Sequence, residues 1–178
     1  MLTLEDAKAM YLKCDCSLYA MAREKPDLYI EYKKLNISKA MQEEWRQELF
    51  DILTEMLKSK GSINLFHRIY DLAEDGNRYN KERLFTLKKV LGFIKYDNLK
   101  VNASVSEAII GRKTLSEKSG MIFWAYDLGE CEMAKELVLY AKDLLSYQPM
   151  ENELRRRFER DIKTCYLIDS ELQLGCFN

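Results

Sequence analysis

The chain has 178 residues but one histidine, His67, and two prolines, Pro26 and Pro149. A single imidazole excludes the multi-histidine metal centres and most of the acid–base sites that helical enzymes use. With so few prolines, little interrupts the long stretches in which apolar residues recur at helical spacing. The seven glycines are scattered singly, so no Gly-rich phosphate loop exists. The longest uncharged apolar run, Met121 to Tyr126, is far short of the ~20 residues that span a bilayer. Charge of one sign is also missing: 28 basic residues face 29 acidic ones, for a formal net of -1. That balance removes any global attraction to nucleic acid or to an anionic membrane.

The five cysteines, Cys14, Cys16, Cys131, Cys165 and Cys176, are odd in number and form no regular framework, which predicts a reducing compartment. The start, Met1-Leu-Thr-Leu-Glu-Asp6, is acidic where a secretory signal is basic, so the expected location is cytoplasmic. What the chain does have is Leu, Lys and Glu in quantity, residues that lose little rotamer freedom in a helix. Hydrophobic residues make up 47% and charged residues 32%, which excludes disorder and supplies one real core. The expectation is an all-α protein of eight or nine helices, arranged as a helical bundle or a short repeat-like stacked array. A single domain over 1–178 is expected, with a candidate hinge near 96–104.

Helix signals follow in order. Thr3 offers a capping hydroxyl with Asp6 three positions on, and Leu4, Ala7, Tyr11, Cys14, Leu18 and Met21 then form one apolar stripe. Pro26 opens a short helix with Leu28, Tyr29, Tyr32 and Leu35 inward. Ser38 caps a long helix, with Met41, Trp45, Leu49, Ile52, Leu53 and Met56 inward, and Gly61 stops it. Ser62 restarts a helix ending at Asp75-Gly76-Asn77, and Asn80 caps the next, which carries Leu84, Leu87, Leu91 and Ile94. A short helix is expected from Val105 to Arg112, another from Ser116 to Gly129, and a longer one from Glu130 to Tyr147. Pro149 precedes a charged last helix, Glu151 to about Asp169. No convincing strand is present.

Gly129, Glu130, Ala134 and Ala141 resemble the second helix of a tetratricopeptide repeat, in which a turn Gly is followed after five residues by Ala and after seven more by another. Small residues there let the helices of a hairpin approach closely. The resemblance covers residues ~116–147 and implies a stacked helical hairpin. The preceding helix departs from it, with Ile122 where a small residue belongs and Ala125 where an aromatic does. A shift by the family's period of 34 residues gives Lys95, Lys100 and Glu107 upstream, and Lys163, Ile168 and Gly175 downstream. One copy is therefore present.

Candidate chemistry is sparse. His67 lacks the Glu three residues before it, and the second such pair, that a di-iron bundle requires. No Arg precedes it closely, as a helical ribonuclease would need. It reads as a structural side chain within hydrogen-bond reach of Asp71. Cys14 and Cys16, two apart, point ~200° from each other on a continuous helix and read as structural thiols. Arg155, Arg156, Arg157 and Arg160 form the sharpest charge cluster, following Glu151 and Glu153 and interleaved with Glu159 and Asp161. Tyr29 and Tyr32, next to Lys33 and Lys34, combine aromatic area with charge as interfaces do.

No catalytic residue, metal ligand or cofactor is expected. The function expected is a cytoplasmic, non-catalytic protein-interaction module: an adaptor, inhibitor or immunity-type binder. The candidate contacts are Arg155, Arg156, Arg157, Arg160, Tyr29 and Tyr32, and the partner is another protein rather than nucleic acid or membrane. Homo-oligomers remain open. The alternatives are binding of nucleic acid or an acidic ligand through the Arg155–Arg160 helix, and an enzyme with a carboxylate-based site.

Overall fold

The computed structural model describes residues 2–75, 78–95, 99–111 and 120–147, together with Asn152, Arg155, Arg156, Glu159, Arg160, Ile162, Lys163, Tyr166 and Ser170. Among them run nine helices: α1 (Leu4–Lys13), α2 (Leu18–Glu24), α3 (Pro26–Lys34), α4 (Lys39–Lys60), α5 (Ile63–Ala73), α6 (Lys81–Leu91), α7 (Leu99–Ile110), α8 (Met121–Asp127) and α9 (Cys131–Tyr147). The described residues between 152 and 170 are helical too. The protein is all-α. Its described strands are one antiparallel pair of two residues each, β1 (Glu74–Asp75) with β2 (Arg78–Tyr79), where the sequence predicts a turn.

Local chemistry sets most boundaries. Thr3 and Asp6 close a capping box on α1, each side chain accepting the other's backbone N–H at 3.1 Å. Ser38 caps α4 by accepting from the Met41 N–H at 3.2 Å, and Asn80 caps α6 by accepting from Arg83 N–H at 3.2 Å. Pro26 stands at the first turn of α3, where its missing N–H is no loss. Gly61 ends α4 at φ 63°, and a Cβ there would lie 2.8 Å from the Phe93 carbonyl oxygen. The stop thus needs glycine twice over, for its backbone angle and for its neighbour.

The expected first helix is broken. Asp15 and Cys16 adopt φ 49° and 57°, both left-handed, and Ser17 caps a new helix by accepting from the Ala20 N–H at 3.1 Å. The break turns Cys16 inward, so Cys14 and Cys16 are both buried free thiols rather than residues on opposite faces. Leu4 and Leu28, expected inside, are exposed, as is Ile52. On α4 the buried arc holds Trp45, Leu49, Phe50, Leu53, Thr54 and Leu57, and at ~100° per residue Ile52 falls just past its edge. The stretch expected as loop or hinge is helical from Leu99 onward, while 96–98 and the Ser116 cap lie outside the described residues. Cys131 is disulfide-bonded, which the odd cysteine count did not suggest.

α4 packs on α5, α1 and α6; α7, α8 and α9 pack against one another; α5 meets α7, and α6 meets α8. Tyr70 of α5 stacks on Trp124 of α8, with centroids 4.8 Å apart. The Tyr140 hydroxyl donates to the Leu91 carbonyl at 3.2 Å, meeting an orphan acceptor at the end of α6. Lys88 of α6 pairs with Glu136 of α9. Buried side chains form one cluster from Ala7 to Ile162. No described helix is long and apolar enough to cross a membrane.

Candidate functional site

α9 and described helical residues between 155 and 166 wall a cavity of about 580 Å³. Lys142 and Ser146 line it from α9, and Arg155, Glu159, Ile162, Lys163 and Tyr166 from the facing segment. Residues 155, 159, 163 and 166 recur at helical spacing and so share one face. Three cations (Lys142, Arg155 and Lys163) stand against one carboxylate among these residues. Lys142 donates to the Tyr166 hydroxyl at 2.6 Å, with its Nζ 4.7 Å from that ring's centroid. The cation is thereby held at the hydroxyl edge of the ring. Ile162 is buried and gives the floor an apolar part.

The candidate arginines therefore divide. Arg155 lines the cavity and is half-buried, whereas Arg156 and Arg160 are exposed and do not line it. Arg157 lies outside the described residues. Lys142 and Lys163, which are not among the residues the sequence points to, join Arg155. Their signal was weak: Lys142 lies on α9 and Lys163 beyond the arginine run, so linear clustering does not connect them.

The tyrosine pair lies elsewhere. Tyr29 and Tyr32 sit on α3, far along the chain from the arginines, and Tyr32 is 3% exposed. It is withdrawn from the surface, stacked on Tyr11 with centroids 6.0 Å apart and planes at 25°. Tyr11 in turn meets Trp45 at 6.0 Å. Burial pushes the Tyr32 phenol up to about 12, with the neighbouring Tyr11 and Cys16 adding to the rise.

The break between α1 and α2 is fastened from two sides. Arg68 of α5 forks onto the Asp15 carboxylate, with Nη2 and Nε each donating to Oδ1, at 2.6 and 3.1 Å. Arg46 of α4 donates to the Cys16 carbonyl at 3.3 Å. Burial drives the Cys16 thiol up to about 11, against the pull of Arg46, and raises Cys14 as well. High-pKa buried thiols are poor nucleophiles, so this pair does not form a reactive dithiol.

His67 is half-buried on α5, with Phe66 6.1 Å away ring to ring. Among the described residues, no group of three or more His, Cys, Asp or Glu is placed to hold a metal ion. No protein-family model, curated protein or solved structure matches the chain.

Proposed function

We propose that this protein is a non-catalytic interaction module that takes an acidic segment of a partner protein into the cavity between α9 and the Arg155–Tyr166 lining residues. The observation that carries the reading is the lining: Lys142, Arg155 and Lys163 against Glu159, over an apolar floor from Ile162 and Tyr166. A carboxylate-bearing chain gains charge-assisted hydrogen bonds there and buries aliphatic surface alongside. The volume lies within the ~300–1,000 Å³ of ordinary ligand sites. The likeness of Gly129 to Ala141 to a stacked-repeat hairpin supports the same class of function.

A fluorescent peptide alternating Glu and Leu, titrated by anisotropy, tests the reading. Binding should be saturable, weaken with added salt, and fall at least ~10-fold in the double reversal Lys142→Glu, Lys163→Glu. Both lysines are exposed, so the variant should still fold. Binding that ignores the reversals overturns the proposal. A clear preference for a single-stranded oligonucleotide of equal charge does so as well, in favour of nucleic acid.

A cytoplasmic setting belongs to this reading. The free thiols Cys14 and Cys16 support it, while the Cys131 disulfide opposes it. Rapid alkylation in the source cells, read by mass spectrometry, decides. Cys131 found reduced supports the setting, and Cys131 found oxidised rules it out.

A further inference from the structure

A second cavity, of about 220 Å³, opens where α3 turns into α4, remote in sequence from the cationic groove. Its polar lining comes from Tyr32, Lys33, Asn36 and Gln42, with no carboxylate among the described lining residues. Leu18, Ile37 and the Tyr29 ring supply the apolar wall. The Lys33 ammonium sits 4.9 Å from the centroid of Tyr29, and no described carboxylate pairs with it. The nearby Glu31 is engaged by Lys34 instead.

Tyr32 decides what this cavity lacks. Its hydroxyl is buried and completes no hydrogen bond. Gln42 lies close enough to favour the phenolate slightly, but its amide nitrogen is directed at the Ile37 carbonyl, 3.4 Å away. A buried hydroxyl without a partner is costly and rare in a native fold.

We infer that the α3–α4 cavity is a binding site for a small organic carboxylate, whose oxygens take the Lys33 ammonium and, after a small shift that uncovers it, the Tyr32 O–H, while its apolar part lies on Leu18, Ile37 and the Tyr29 face. The volume matches roughly seven waters, which suits a compact acid and excludes a drug-sized ligand. The carboxylate comes either from a free small acid or from the C-terminus of a peptide.

Benzoate titrated into the full-length protein, followed by amide NMR, is the first test. Saturable shifts should appear at residues 29–42, with benzamide much weaker and benzylamine silent. Tyr32→Phe should weaken benzoate at least ~10-fold, the scale of one hydrogen bond to a charged group. It should also raise the melting temperature of the ligand-free protein, because it deletes an unmet hydroxyl. Lys33→Gln should weaken benzoate similarly with the melting temperature unchanged. A short peptide ending in Leu, compared with its C-terminal amide, separates the two sources: tighter binding than benzoate assigns the site to chain ends, weaker binding to free acids. No saturation at roughly millimolar benzoate, equal binding of acid and amide, or a lower melting temperature in Tyr32→Phe overturns the inference.

Discussion

Arg83 is 2% exposed, yet each arm of its guanidinium has somewhere to go. Nε donates to Gln47 Oε1 at 3.0 Å, Nη1 to the Leu72 carbonyl at 3.2 Å, and Nη2 to Glu43. The Phe50 ring lies 5.6 Å from its Cζ. One side chain therefore ties α4, α5 and α6 together. Arg83→Ala removes the donors and leaves these acceptors facing a void. We expect a loss of about 2–4 kcal/mol in urea unfolding, somewhat below a fully buried pair, because Glu43 is still partly exposed. Trp124, 2% exposed and stacked on Tyr70, is an apolar counterpart. Trp124→Ala should cost ~3–5 kcal/mol by the same measurement, and a loss under ~1 kcal/mol would contradict its place in the core.

At the scale of elements, Gly61 is a position where a single Cβ does harm twice over. Gly61→Ala meets a left-handed backbone and the Phe93 carbonyl together. It should lower stability by at least ~1 kcal/mol, measured by thermal unfolding. Stops and starts of this kind were legible in the sequence. Thr3, Pro26, Ser38, Gly61 and Asn80 each act within a few residues of the boundary they set, so local chemistry suffices to find them. The break at Cys14-Asp15-Cys16 was not legible in the same way. The apolar stripe runs through it without interruption, and what holds two left-handed residues there is Arg68 and Arg46, about 30 to 50 positions away. Ser17, a good cap directly after the break, was the one local hint. The sites divide likewise: the arginine run and the Tyr29–Tyr32 pair were visible as clusters, whereas Lys142 and the burial of Tyr32 depend on which helices meet. The alternation of inside and outside also failed at stripe edges, as Ile52 shows.

For the whole molecule, the raised acidities set an alkaline limit. The Cys16 thiol rises from 9.0 to about 11 and the Tyr32 phenol from 10.0 to about 12. A group with a raised folded pKa adds stability below its unfolded value and loses it as pH climbs toward the folded one. The melting temperature should therefore hold near neutrality, begin to fall above pH ~9 as Cys16 contributes, and fall further above ~10 with Tyr32. Tyr32→Phe should shrink the second part of that decline, the remainder coming from Tyr11, whose phenol burial also pushes up. A flat profile to pH ~11 would show that neither group is desolvated in solution.

The two buried thiols beside the broken first helix also give the protein a built-in clock. An alkylating reagent reaches Cys14 and Cys16 only when the α1–α2 corner opens, since neither is appreciably exposed. The labelling rate of the peptide that carries them, followed by mass spectrometry at low urea, then reads the opening free energy of that corner alone. Compared with global unfolding, it tells whether the N-terminal helices leave the molecule first or hold to the end.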